Sequence, residues 1–518
     1  MKKNLKNSFS VIIILMFLVS LGWAAVKKEP GIDSKDFAAF VAKTLADWKV
    51  PGVGVAVVKN GKVILAEGYG FRDVQKKLPV TPHTIFAIGS ASKAFTATAV
   101  GILVDEGKIN WDKPVIDYLP NFRLYDPIAT VQVTTRDLLC HRTGVPRYDF
   151  AWLGSSASRK ELFERIKFLE PNTGLRSLFQ YNNFMYMAAG YLVEQISGSS
   201  WEEFVQRRIF DPLGMKESDF SVEISKKKSD LALPYGLEKD KLVEFQFRNI
   251  DAMGPAGSIN SSALDMAQWV LFNLNKGQVG DKKIISGETL AEIHSAQMVI
   301  KQGEFRLLEN FPEMSPSSYG LGWIVTTYRG HIWIHHGGNV DGFTSLVTFF
   351  PRDNFGIVVL SNMNGTLVPE IIALNIADRL LGLDQVDWNK RLKDIFNKLQ
   401  TEEEKAKKEE EKDRKMGTKP SHPLEEYVGE YENPAFGSVV VSKEGEGLRL
   451  KTPALEGPLT HYHYDVFELR ALLMGSEMKR KVSFESNIKG DIHSLSIQLE
   501  PAVKDIVFIK KSQKKTEK

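Results

Sequence analysis

Ser90-Ala91-Ser92-Lys93 sets a hydroxyl and an amine three residues apart, just after the apolar stretch Thr84 to Ile88 and at the start of a segment with helical periodicity. On a helix, positions i and i+3 share a face, so Lys93 Nζ can lie against Ser90 Oγ. Burial that lowers the ammonium pKa would let the amine take the hydroxyl proton. The free N–H groups at the helix start would add a positive dipole end beside the nucleophile, which suits an oxyanion. The spacing alone is common: Ser-x-x-Lys also begins at Ser225, Ser476, Ser486 and Ser512, and Ser at a helix start is ordinarily an N-cap. Two further groups stand out. Tyr181-Asn182-Asn183 lies in a polar turn before a helix, and His336-Gly337-Gly338-Asn339 closes a strand. A phenol near the lysine could share its proton, an amide could bind a substrate carbonyl, and glycines let a substrate lie flat along a strand edge. Taken singly, Tyr181 reads as a core aromatic and Asn183 as an N-cap.

The elements that must position these groups are legible in outline. Val53, Val55 and Val57 alternate up to Val58, Asn60-Gly61 supplies a type I′ turn, and Val63-Ile64-Leu65 begins the return strand. A second group of strands is predicted near 322–327, 331–336, 344–350 and 356–361, with helical periodicity between the groups at 92–106, 184–197, 201–210 and 263–274. Strands from both chain ends with helices between predict one antiparallel sheet and a helical lobe, with a ligand cleft between them. From about Asp387 the composition shifts. Residues 401–415 are almost all charged, with Glu403/Lys407, Glu404/Lys408, Glu410/Arg414 and Glu411/Lys415 at i,i+4 spacing, which reads as a solvated helical connector ended by Gly417 and Pro420. Beyond His422, short alternating strands with Gly or Asn breaks predict a small β-barrel or sandwich.

Composition sets the limits. The 518 residues are 43% hydrophobic and 25% charged, with 67 Lys and Arg against 64 Asp and Glu, a net charge of +3. This is average for globular protein and too small a charge to mark a nucleic-acid binder. The single cysteine, Cys140, rules out an internal disulfide and a Cys-based zinc cage. Lys2, Lys3 and Lys6, the apolar run Val11 to Leu21, and the small residues Gly22, Ala24 and Ala25 have the layout of a secretory signal peptide cleaved after Ala24. The apolar run is about half of the ~20 residues a spanning helix needs. Cleavage would remove three positive and no negative side chains, so the mature chain is formally neutral and expected outside the cytoplasm, periplasmic or extracellular, with no membrane span. Gly-x-Ser-x-Gly, the Gly-Lys-Ser/Thr phosphate loop, His-Glu-x-x-His and Gly-x-Gly-x-x-Gly are all absent, which weighs against an α/β-hydrolase, a P-loop NTPase, a zincin and a dinucleotide enzyme.

Ser90-x-x-Lys93, Tyr181-x-Asn183 and His336-x-Gly338, in that order, resemble the serine hydrolases of the class C β-lactamase and penicillin-binding-protein superfamily. The segments Leu138-Leu139-Cys140-His141-Arg142-Thr143-Gly144, Phe210-Asp211-Pro212-Leu213-Gly214-Met215, Pro255-Ala256-Gly257-Ser258 and Tyr319-Gly320-Leu321-Gly322-Trp323 are similar to further signatures of that superfamily. The resemblance covers residues 33–385. It implies an α+β fold of the β-lactamase/DD-peptidase type, an antiparallel sheet flanked by helices plus a helical lobe, and needs no cofactor or metal. It also implies Ser90 as nucleophile, Lys93 as its base, Tyr181 as proton relay, Asn183 as holder of the substrate carbonyl, and the Ser90 and Asn339 amides as oxyanion hole. Residues 386–420 are then the linker, and 421–518, whose segment Thr460 to Phe467 resembles a lipocalin-like domain, a small all-β barrel. His336 stands where many β-lactamases and transpeptidases carry Lys, and is only partly charged at neutral pH. The expected activity is therefore hydrolysis of peptides, D-amino-acid amides or small esters through an acyl-enzyme. The alternatives are action on β-lactams or peptidoglycan peptides, and a non-catalytic receptor for cell-wall peptides or a small ligand.

Other groups have plain structural readings. His335, adjacent to His336, must point to the opposite strand face and is expected to be packed. His461 and His463 share a strand face but lack an evident third metal ligand. Cys140, although next to His141, is expected to be a small buried apolar group.

Overall fold

The computed structural model describes residues 32, 34–301, 308, 311–410, 413–473 and 475–512. The segment read as an export signal lies outside the described residues. The Asn60-Gly61 turn, with φ of 51° and 75°, joins β1 (Gly52–Lys59) to β2 (Lys62–Asp73). β1 is buried on both faces, so its core positions are not confined to the alternating valines. Val53, Val55 and Val57 pack with α1 (Ser34–Asp47) and α5 (Val368–Leu381), while Ala56 and Val58 face the core on the other side.

These strands join β3 (Leu78–Pro79), β4 (Met298–Val299), β5 (Ser318–Tyr319), β6 (Ile324–Tyr328), β7 (His331–Val340), β8 (Phe343–Phe350) and β9 (Phe355–Ser361). They form one nine-stranded antiparallel sheet of order β4-β5-β6-β7-β8-β9-β1-β2-β3. The pairing of β1 with β9, Val53 opposite Ser361, closes the sheet from the two ends of this unit. β6 pairs with β7 only from His331 to His335, so His336–Val340 is paired with β8 and runs past the end of β6.

The second face of the sheet carries α4 (Ala263–Leu274) and then the helical lobe, built around α2 (Ser92–Asp105) and α3 (Asn183–Ser197). From Ser92 to Leu103 every residue of α2 is buried. Such a helix belongs in the centre of a lobe rather than on its surface.

The charged segment is not wholly a spacer. It forms α6 (Trp388–Glu410), whose first turns complete the core beneath the nine-stranded sheet: Trp388 and Leu392 are buried, and Trp48 Nε1 donates to Asn389 Oδ1 at 2.8 Å. Arg414 then donates to the carbonyls of His461 and Tyr462. The C-terminal residues form a closed barrel of eight antiparallel strands, β10 to β17. These are Gly429–Asn433, Gly437–Glu444, Gly447–Lys451, Glu456–His463, Val466–Leu473, Ser476–Ser486, Ile492–Ile497 and Ile506–Lys510. Tyr431, Leu450, Leu469, Val482, Leu495 and Phe508 are among the side chains filling it.

The barrel docks on the helical lobe. Tyr148 N–H donates to the buried Glu500 carboxylate at 2.8 Å, the Tyr148 ring packs 6.0 Å from Phe436, and Gly154 lies so close to the Pro453 carbonyl that a Cβ would sit 2.1 Å from its oxygen. Among the described residues no helix is long and apolar enough to cross a membrane.

Candidate active site

Ser90 sits in a 3₁₀ turn, Gly89–Ala91, that leads into α2, and its side chain caps neither helix. The hydroxyl is thus left for Lys93, whose Nζ lies 3.1 Å from Ser90 Oγ. Lys93 has no solvent exposure. Its other two hydrogen-bond partners are Asn183 Oδ1 and the Ala256 carbonyl, each at 2.7 Å. Burial, and then the Arg147 cation, hold the amine well below its usual pKa against the opposing pull of Asp149. Both oxygen partners can only accept. A neutral amine therefore spends its two N–H groups on them and turns its lone pair to Ser90, the arrangement a base needs.

Asn183 is placed by its neighbour. The N-cap of α3 is Asn182, whose side chain accepts from Met185 N, which leaves Asn183 free to face the site. Asn183 Nδ2 donates to Asp149 Oδ1 at 2.9 Å, and this fixes which end of the amide meets Lys93. The second hydrogen on Nδ2 is what a substrate carbonyl can take. Asp149 also accepts from Trp152 Nε1 at 3.0 Å and pairs with Arg147. Asp149 and Arg147 were not legible beforehand: they follow Val145-Pro146 with no spacing that signals chemistry. They reach the cleft through Tyr148, a left-handed residue (φ 51°) between them, whose hydroxyl is held by the Glu170 carbonyl and whose N–H is held by Glu500 of the barrel.

The Tyr181 ring is nearly buried and stands beside the same lysine, 4.8 Å from Lys93 Nζ to its centroid, with the Arg147 guanidinium 5.0 Å from that centroid. His141 packs behind it at 4.3 Å. His141 Nδ1 accepts from Asn182 N–H at 3.1 Å, and burial keeps the ring neutral by holding its pKa well below the usual value. Its neighbour Cys140 takes no part, because burial pushes the thiol up to about 12.

β7 brings the remaining groups. His336 is buried, with Nδ1 2.6 Å from the Gly337 carbonyl and Nε2 2.9 Å from the Tyr319 hydroxyl. A carbonyl only accepts, so Nδ1 carries the proton and Nε2 can receive the tyrosine's. His335 faces the other way and stacks on Trp333 at 3.9 Å. Gly338 is where β7 passes the serine turn: a Cβ there would lie 1.8 Å from the Ile88 carbonyl, which also accepts from Ser345 Oγ. At Gly89 (φ 51°) a Cβ would point to within 2.7 Å of Asn339 N. The peptide units at Ser90 and Asn339 therefore converge. The other signature segments are packing devices: Ala256 binds Lys93, Pro255 O accepts from Thr96, and Gly322 allows close approach to the backbone of Lys93 and Ala94. At Ser225, by contrast, the Ser-x-x-Lys hydroxyl and amine both bind Asp219.

Sheet, helical lobe and, between them, a half-buried serine paired with a fully buried lysine define a serine hydrolase of the penicillin-recognising type. Residues 37–380 match the Beta-lactamase family, to which the chain belongs, and residues 413–510 match a domain of unknown function, DUF3471. Among relatives, the chain is 27% identical to the unguisins hydrolase ungD' of Aspergillus campestris, over 91% of this chain and 90% of that one. It is 28% identical to protein flp of Staphylococcus aureus, over 62% of each chain. Among solved structures, the octameric penicillin-binding protein homologue of Pyrococcus abyssi superposes with a TM-score of 0.60 at 25% identity, over 92% of this chain and all of that one. FmtA of Staphylococcus aureus shares the fold, with a TM-score of 0.54 at 23% identity over 68% of this chain and 89% of that one.

Proposed function

We propose that the protein is an exported serine hydrolase that cleaves amides or esters, in peptides, D-amino-acid derivatives or small esters, through an acyl-enzyme on Ser90. The observation that carries this reading is the Lys93 amine, wholly buried, with two oxygen acceptors and the Ser90 hydroxyl as its hydrogen-bond partners. Lys93 takes the Ser90 proton as Oγ attacks the carbonyl carbon. The amides of Ser90 and Asn339 receive the oxyanion, and Tyr181 passes a proton to the leaving group before activating the water that deacylates the enzyme. The Aspergillus relative is itself named a hydrolase, which supports the class.

Hydrolysis of β-lactams is expected to be weak. The His336 imidazole is engaged by Gly337 and Tyr319 and presents no permanent cation to a substrate carboxylate. Residues 1–24 carry the export reading, and the mature chain is expected to begin at Ala25.

A fluorophosphonate probe tests the core of this. Wild type is expected to be modified at Ser90, and Ser90→Ala to lose both the label and at least about a thousandfold in kcat. A wild type that stays unlabelled, and cleaves nothing in a panel of esters, D-amino-acid amides and a chromogenic β-lactam, defeats the reading. N-terminal sequencing of the chain recovered outside the cytoplasm tests export, which an intact Met1 terminus in the cytoplasm would contradict.

A further inference from the structure

Two cavities meet at Ser90. One, of about 360 Å³, holds Tyr181, His336 and Gly338. The other, of about 440 Å³, shares Arg147 and Asn339 with the first and holds Asn183 and Asp149, with Asp341 and Asn364 beyond Asn339; the rest of its wall is apolar, Phe150, Trp152, Met253 and Val340 from the hydrolase with Leu473 and Met478 from the barrel. The chemistry separates their roles. The leaving group must sit on the Tyr181 side, where it is protonated, so the acyl part falls on the Asn183 side.

From this we infer that the larger cavity is the acyl subsite, that it takes an acyl group carrying an extended apolar chain or side chain, and that the C-terminal barrel sets this preference through Leu473 and Met478. The inference rests on the acyl-enzyme reading above. The two residues stand at facing ends of β14 and β15, a hairpin whose tip is seated against the hydrolase: Gly475 lies where a Cβ would be 2.9 Å from the Leu237 carbonyl and 2.7 Å from the Phe245 ring. The wall is thus held in place at its tip as well as through Glu500. The same docking fixes Tyr148, and with it the Asp149 that orients Asn183 and Trp152. Barrel, apolar wall and catalytic amide form one connected structure.

The test uses the full chain and 4-nitrophenyl acetate, butyrate, hexanoate and octanoate. For wild type, kcat/KM is expected to rise with acyl length. Met478→Ala and Leu473→Ala are expected to lower the octanoate-to-acetate ratio about tenfold, the scale at which an apolar pocket discriminates small changes in chain contact. Met478→Trp, which fills the cavity, is expected to move the optimum to a shorter chain. Amides of one acyl group with differing amines should respond alike in all variants. Circular dichroism and Tm identify any variant that fails to fold, and the opposite-sense substitution at Met478 then still decides. Chain-length preference unchanged in folded variants whose Ser90 is still labelled overturns the inference while leaving the hydrolase intact. A preference that moves with the amine instead overturns it too, by assigning the cavity to the leaving group. Absence of Ser90 labelling with every probe fells the acyl-enzyme reading and this one with it.

Discussion

Asn183 Oδ1 accepts from Lys93 Nζ at 2.7 Å while the same side chain's Nδ2 donates to Asp149 at 2.9 Å. The amide is held from both ends, and the consequence reaches Ser90. Once the amine is neutral, Asn183 and Ala256 take its two N–H groups and its lone pair has one direction left. Burial supplies the other requirement, since a desolvated lysine gives up its proton more readily.

This gives the pH dependence a sign. Lys93 must be neutral to accept the Ser90 proton, and its pKa is lowered, so kcat/KM should stay high well below pH 10 and fall on the acidic side as the amine protonates. Arg147 is one of the charges that lower it. Arg147→Ala is therefore expected to shift the acidic limb to higher pH, whatever it does to the maximum. A pH–rate profile for an activated ester checks this, and a limb that does not move would show that Lys93 is insensitive to Arg147. Lys93→Arg keeps a permanent cation and should lose at least about a thousandfold in kcat.

Asp149 acts through Asn183 and is a positioning residue. Asp149→Ala removes the acceptor that fixes the amide, and a reacting geometry displaced by about 1 Å costs on the order of a hundredfold. The expected loss is in kcat more than KM, with Ser90 still reactive toward a fluorophosphonate at a reduced rate. A pure fall in Tm at unchanged kcat would mean that Asp149 only supports the fold.

Gly338 carries a steric requirement. Gly338→Ala places a methyl on the Ile88 carbonyl, so β7 and the serine turn must separate. Overpacking of this kind typically costs about 1–3 kcal/mol, and the Ser90 and Asn339 amides would no longer converge. We expect a folded protein of lower Tm with kcat reduced at least tenfold, measured by calorimetry and ester hydrolysis. Wild-type kcat in this variant would remove Asn339 from the oxyanion hole.

Asp137 anchors the loop that carries His141. Its carboxylate is fully buried and accepts from Thr134 N, Thr134 Oγ1, Arg142 and Arg176. Burial raises its pKa, but Arg176, the Thr134 amide and Arg142 outweigh that and hold it below the ordinary value of 3.8. A depressed carboxylate pKa stabilises the fold above the unfolded-state value, and that contribution is lost as pH falls through the folded one. Asp137→Asn should destabilise by about 1.5–3 kcal/mol at pH 7, the scale of a hydrogen bond to a charged group, since Arg142 and Arg176 lose the carboxylate but keep the Gln297 and Gln132 carbonyls. The gap from wild type should narrow below about pH 4. Denaturant midpoints at pH 7 and pH 3 measure both.

Much of the frame was written in short-range pattern. The valine alternation and Asn60-Gly61 determined the first hairpin, and apolar spacing determined helices at 92–105 and 263–274 almost to the residue. Chain-end strands around a helical middle determined one antiparallel sheet. Ser90, Lys93, Tyr181, Asn183 and His336 were visible as a set, because three short motifs in that order resemble those of the superfamily although each alone is common. What the tertiary structure decided depends on contacts between segments far apart in sequence. Asp149 and Arg147 acquire their place only when a left-handed Tyr148 is held by Glu500, 352 residues away. Asn183 rather than Asn182 faces Lys93 because the cap was taken by its neighbour, and Trp388 and Leu392 belong to the hydrolase core although their helix reads as a charged spacer. The barrel was legible as a barrel from its alternation and turns. That two of its side chains line the cleft was not, because local periodicity specifies which face of a strand is buried and carries no information about which distant surface buries it.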